Sequence, residues 1–166
     1  LPIQGAIREI EQYMNNGKLE TDSEILFVES NVVETSKRLA LFLLNEGICE
    51  FGQDLKHQQQ IADILANIFI DIYVAESTVL RAKKILEDPT RHSSVEAVAK
   101  IFVAEMAQRM IQLAETALKG IYNGDLSTMI HENLNSFRSR MYLPTNTIGL
   151  KREIAAYAYS KQSYPY

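Results

Sequence analysis

The stretch Ile61 to Pro89, "IADILANIFIDIYVAESTVLRAKKILEDP", decides the fold. Within it Ile61, Leu65, Ile68, Ile72, Ala75, Val79, Ala82 and Leu86 alternate by four and three positions. That spacing keeps one seam of an α-helix against a partner helix. Phe69, Ile70, Val74 and Leu80 lie off the seam, so a second face is apolar too. A helix apolar on two faces is flanked on both sides, inside a bundle or at an oligomer interface. Glu87-Asp88-Pro89 ends the helix, because the residue before a proline is pushed out of the α region.

The stretch is not a membrane span. Asp63, Asp71, Glu76 and Arg81 would each cost ~2.5–3.5 kcal/mol at a bilayer centre. The run free of charge, Ile64 to Ile70, falls far short of the ~20 residues a span needs.

Working outward, proline is absent from Ile3 to Asp88 and strand alternation is nowhere sustained, so the flanking segments are helical as well. A first helix is predicted over Pro2–Met14, with Ile3, Ile7, Ile10 and Met14 at helical spacing and Asn15-Asn16-Gly17 after it. A second starts near Ser23 and turns Ile25, Val28, Val32, Leu39 and Leu43 inward, weakening at Gly47 and Gly52. The quoted helix follows a short break around Gly52–Leu55. A fourth helix opens on a capping box, Ser93 with Glu96, and stops at Asn123-Gly124. Its seam of Ala99, Val103, Met106, Met110, Leu113 and Ala117 suits close packing against the quoted helix. A fifth spans Asp125–Arg140, with Leu126, Ile130, Leu134 and Phe137 inward, and a weaker sixth covers Ile148–Tyr159. The closing "SKQSYPY" reads as a loose tail. The fold class is all-α: one antiparallel helical bundle over residues 1–160 with long central helices, and a tail over 161–166. The chain begins Leu1-Pro2 without a methionine, which suits the C-terminal piece of a longer protein.

A length of 166 residues is enough for one domain with a sizeable core, and 46% hydrophobic with 23% charged residues is ordinary for a soluble chain. The net charge of −4, with no long basic block, argues against nucleic acid. The single cysteine, Cys49, is expected to be a reduced, buried thiol in a cytoplasmic protein. His57, His92 and His131 each stand near a helix end, and none has a glutamate three positions before it, as a di-iron bundle requires. There is no glycine-rich phosphate loop, nucleophile elbow or His-Glu-x-x-His. The residues alone therefore describe a bundle with no catalytic, cofactor-binding or metal site.

One pair of charges stands apart. In a hairpin turning near Thr90, Asp71 and Arg109 are equally distant from the turn, and both lie among apolar neighbours. Two partly buried opposite charges at one level are expected to pair, and removing one partner of a buried pair costs ~3 kcal/mol or more. Arg81 and Glu105 miss that register by more than a turn.

The segment "LANIFIDIYVAESTVLRA" resembles the C-terminal extension of acyl-CoA dehydrogenases of the very-long-chain type, through Leu65, Ala66, Ile70, Asp71, Tyr73, Arg81 and Ala82. "VAEMAQRM" is similar to that extension's next long helix, through Glu105, Ala107 and Arg109. The opening "LPIQGAIREI" looks like the segment that follows the catalytic part. The resemblance implies a parent flavoenzyme that desaturates acyl-CoA thioesters with FAD and a glutamate base, both placed upstream. The motif around that base is missing here. This chain is then expected to be non-catalytic and to serve subunit packing, against the upstream domains and in a homo-oligomer. The resemblance also implies peripheral membrane association, against which the acidic composition argues. A free-standing oligomerisation or adaptor module and a lipid-binding bundle stand as alternatives.

Overall fold

The structure, a computed structural model, describes residues 25–88 and 94–161, together with Gly5 and Gln12. It contains α1 (Phe27–Phe51), a 3-10 turn (Gly52–His57), α2 (Gln59–Leu86), α3 (Ser94–Ile121), α4 (Thr128–Arg140) and α5 (Thr147–Lys161). The chain is all-α. α1, α2 and α3 pack on one another, α4 lies against α3 and α1, and α5 lies on α3. α3 is thus the helix that every other one touches. The helix predicted for Pro2–Met14 and the cap at Ser93 lie outside the described residues, save that Gly5 and Gln12 are helical and exposed.

The heptad seam of α2 is the buried one. Ile61, Leu65, Ile68, Ile72, Ala75, Val79 and Ala82 are all inside, and Leu86 is half-buried against the same core. Opposite them α3 buries Ala99, Val103, Met106, Met110 and Ala117, with Leu113 half-buried. The alanines let α3 approach neighbours on several sides at once, which larger side chains would prevent. Ile130, Leu134 and Phe137 of α4 close the core from above, with Leu126 half-buried beside them.

α1 begins later than its sequence suggests. Leu26 adopts a left-handed backbone (φ 58°), which breaks the helix before Phe27. Leu26 itself turns inward and is 4% exposed, while Ile25 is 47% exposed. Val28, in the first turn, lines a groove beside Leu143 and Pro144 rather than the core. Val32, Leu39 and Leu43 are buried as expected. Two hydroxyls inside this helix are satisfied locally: Ser36 Oγ donates to the Val32 carbonyl and Thr35 Oγ1 to the Asn31 carbonyl, each at 2.8 Å.

The glycines near the end of α1 have distinct jobs. A Cβ at Gly47 would stand 3.1 Å from Leu55 Cδ1, so the bare backbone lets the 3-10 turn fold onto the helix. Gly52 ends the helix at φ 54°, a conformation that costs other residues energy. Cys49, two residues beyond Gly47 and so roughly 200° around the helix, faces away from the core. It is exposed, not buried, and its Sγ lies 3.7 Å from Asn45 Oδ1.

α3 stops where the sequence indicates. Asn123 and Gly124 both have positive φ (49° and 85°), and the Gly124 N–H reaches back to the Lys119 carbonyl at 2.8 Å. α5 extends through Ser160 and Lys161, which the sequence reading assigned to the tail. None of its residues from Thr147 to Ser160 is fully buried.

Candidate functional site

The most distinctive surface is the outer side of α2. At 3.6 residues per turn, Ala66, Phe69, Ile70, Tyr73, Ser77 and Leu80 follow one another up a single stripe. All six are exposed, Phe69 by 44%, Ile70 by 59%, Tyr73 by 71% and Leu80 by 61%. Val74, 39% exposed, widens the stripe at its middle. The sequence reading flanked α2 on both sides. Within this chain's described residues only the seam side is covered, because α1 and α3 pack there and no other described helix makes more than marginal contact with α2. A contiguous apolar surface of this kind marks a contact with another molecule or domain.

On the flank of α2 facing α3, Arg109 meets Asp71. Its Nε donates to Asp71 Oδ2 at 2.9 Å and its Nη2 to Asp71 Oδ1 at 2.7 Å, a bidentate pair. Asp71 is largely covered (18% side-chain exposure), whereas Arg109 is half exposed (50%). The expectation of two partly buried charges thus holds for the carboxylate only, since the long arginine stem carries its head to the surface. The hydrogen bond to Asp71 still raises the guanidinium pKa above its ordinary value. Glu105 does not meet Arg81 in the structure but takes Lys151 of α5.

Other polar ties between helices have no signal in sequence spacing. Lys37 Nζ of α1 bridges Glu34 Oε1 at 2.7 Å and Glu76 Oε1 of α2 at 2.6 Å, and the bonds to Glu34 and Glu76 raise its pKa. The Tyr122 hydroxyl donates to Glu46 Oε2 at 2.5 Å, joining the end of α3 to α1. Arg138 Nη2 reaches Glu115 Oε2 at 3.4 Å, and the hydrogen bond from Lys119 holds the Glu115 carboxyl below its usual range.

These residues do not assemble a reaction centre. His57 ends the 3-10 turn and His131 stands in the first turns of α4; both are exposed, and His92 lies outside the described residues. Among the described residues no three His, Cys, Asp or Glu side chains are grouped as a metal would need, and no helix is long and apolar enough to cross a membrane.

Two further grooves are formed by the described residues. One groove, of about 350 Å³, is walled by Ala104, Ala107, Ile111 and Met141, with Glu115 and Arg138 beside them. Another, of about 570 Å³, is walled by Gln58, Gln59 and Gln60. Neither groove has a glycine turn offering free N–H groups to a pyrophosphate. The start of α5 carries a glycine but is closed by its own cap. Asn146 Oδ1 accepts from the Gly149 N–H at 3.0 Å, and a Cβ at 149 would come within 2.7 Å of Asn146 Nδ2.

The family model "Acyl-CoA dehydrogenase, C-terminal domain" matches residues 35–135, the span from α1 through most of α4. The chain belongs to this family. A probable acyl-CoA dehydrogenase of Bacillus subtilis (strain 168) is 28% identical over 147 residues, covering 87% of this chain and 24% of that protein. A crystal structure of acyl-CoA dehydrogenase complexed with FAD from Bacillus anthracis superposes with a TM-score of 0.84 at 24% identity, over 99% of this chain and 28% of that one. At that identity the superposition speaks for the fold. This acyl-CoA dehydrogenase C-terminal domain spans about a quarter of the length of both relatives.

Proposed function

We propose that this chain is the packing domain of a flavin-dependent acyl-CoA dehydrogenase and takes no part in the chemistry itself. FAD and the acyl-CoA thioester bind elsewhere in the parent, and the domain contributes contacts to its subunits. The observation that carries this reading is the apolar side of α2 left uncovered by the described residues, on a domain whose family is established. The finer assignment to enzymes of the very-long-chain type draws support from Leu65, Ala66, Ile70, Asp71, Tyr73, Arg81 and Ala82. Ile70, Tyr73 and Arg81 among them are exposed on α2, where a partner rather than a core would select them. The surface charges along α2 are mixed, with Asp63 and Glu76 beside Arg81 and Lys84, which suits a protein neighbour better than an anionic bilayer.

The test is to express the full reading frame that contains residues 1–166, with and without them, and to record the visible flavin spectrum and acyl-CoA desaturation of each product. Flavin is expected in the full product and absent from the isolated domain. A stoichiometric flavin band on the isolated domain would overturn the reading. A reading frame with no flavoenzyme portion would leave the free-standing adaptor in its place.

A further inference from the structure

We propose that the groove between the start of α1 and the start of α5 is a binding site for an organic cation, an ammonium head on an aliphatic stem, with the Glu29 carboxylate as its counter-charge. The proposal goes beyond the packing role assigned above and does not rest on it.

The groove encloses about 440 Å³ and has apolar walls, Val28 of α1 with Leu143, Pro144 and Leu150 from the approach to α5 and its first turn. Glu29 lines it as well. This glutamate is 6% exposed, and no hydrogen bond or ion pair reaches its carboxylate from a described residue. Its oxygens keep the small exposure of the residue, and the opening beside them is the groove. Its place in the first turn of α1 gives it the positive end of the helix dipole, which offsets only part of the cost of covering a carboxylate. A full positive charge offsets the rest. Lys100, on the groove's wall, does not supply it, because Glu96 holds its Nζ at 2.6 Å. Glu153, exposed on the rim, adds negative charge. The uncompensated charge of the groove is therefore negative, which excludes an anion. A metal ion is a poor fit, since no three His, Cys, Asp or Glu side chains are grouped among the described residues. An ammonium on an aliphatic stem matches both features of the site: its head pairs with Glu29, and its stem lies along Val28, Leu143 and Leu150. A free alkylamine and the lysine side chain of a neighbouring polypeptide share this chemistry.

Backbone amide shifts of the isotope-labelled chain, at constant ionic strength, read the binding of n-butylammonium chloride, with n-butanol as the uncharged probe of the same stem. Saturable shifts at Val28, Glu29, Gly149 and Leu150 are expected with the cation, at a dissociation constant of about 1 mM, as suits one ion pair and a short stem. The alcohol should leave those amides in place. Glu29→Gln keeps the shape of the side chain and should weaken the cation roughly tenfold or more. Glu153→Gln should change it by less than about twofold, because an exposed carboxylate is solvated either way. A terminally blocked Gly-Lys-Gly peptide separates the two sources. Binding at least as tight as that of n-butylammonium assigns the site to a lysine of a polypeptide, and weaker binding assigns it to a free alkylamine. The absence of a saturable shift up to about 50 mM n-butylammonium overturns the proposal, as does equal binding of n-butanol or a Glu29→Gln chain that binds the cation unchanged. Circular-dichroism melts check that Glu29→Gln is folded; if it is not, the comparison of n-butylammonium with n-butanol on the parent chain still decides.

Discussion

Arg109 of α3 grips Asp71 of α2 through two parallel hydrogen bonds of 2.9 and 2.7 Å, midway along the hairpin the two helices form. Because Arg109 is half exposed, water screens the pair and solvates the guanidinium once Asp71 is gone. Asp71→Ala is therefore expected to cost about 1 kcal/mol, not the ~3 kcal/mol of a fully buried pair. Urea titration at low and high salt measures it. The loss should shrink as salt rises, whereas a buried pair would be indifferent.

Burial, and then the hydrogen bond to the Glu46 carboxylate, push the Tyr122 phenol well above the usual tyrosine value of 10.0. A group whose folded-state pKa is raised stabilises the fold fully below its unfolded pKa and loses that contribution as pH climbs toward the folded value. The bundle should accordingly weaken above about pH 10, in step with Tyr122. Tyr122→Phe is expected to cost about 1 kcal/mol at neutral pH, and the gap to the parent chain should close as the solution becomes alkaline. Lys37, also raised, contributes to the same alkaline decline, but its share cancels in the difference between the two proteins.

Phe137 is fully buried, and its ring stands 5.7 Å from that of Phe42, tilted by 38°. This contact fastens α4 to α1. Phe137→Ala leaves a cavity under α4 and should cost about 4 kcal/mol in denaturant titration. By contrast Tyr73→Ala, on the outer stripe, should change monomer stability by less than about 0.5 kcal/mol. A cost near that of Phe137→Ala would show that the stripe is covered within the monomer.

The long-range frame was legible because it rests on periodicity. Ile61 through Ala82 repeat along one seam of α2, and Asn123-Gly124 stop α3 by a backbone preference that belongs to those two residues themselves. The level of Asp71 and Arg109 follows from counting away from a turn. What escaped depends on rotation and neighbours. Nothing in the residues marks Leu26 as left-handed, and that one torsion turns Ile25 outward and shortens α1. Cys49 is apolar enough to suit a core, yet the last turn of α1 points it at solvent. Lys37 with Glu76, Glu46 with Tyr122, and Glu105 with Lys151 join residues whose separation along the chain is set only once three helices are docked. The outer stripe was visible as an apolar face, but sequence could not say that this chain's described residues leave it bare.

The ring of neighbours around α3 has a consequence for how such a domain can change over generations. A helix touched by one partner can drift on its far side. α3 is lined by Ala97, Ala99, Ala104, Ala107, Ala114 and Ala117, all buried and shared among four neighbours, so enlarging one of them displaces more than one helix. Substitutions in α3 therefore need matched changes in other helices, whereas the exposed residues of α5 can vary singly. The same scaffold can acquire new partners on its rim without rebuilding its axle.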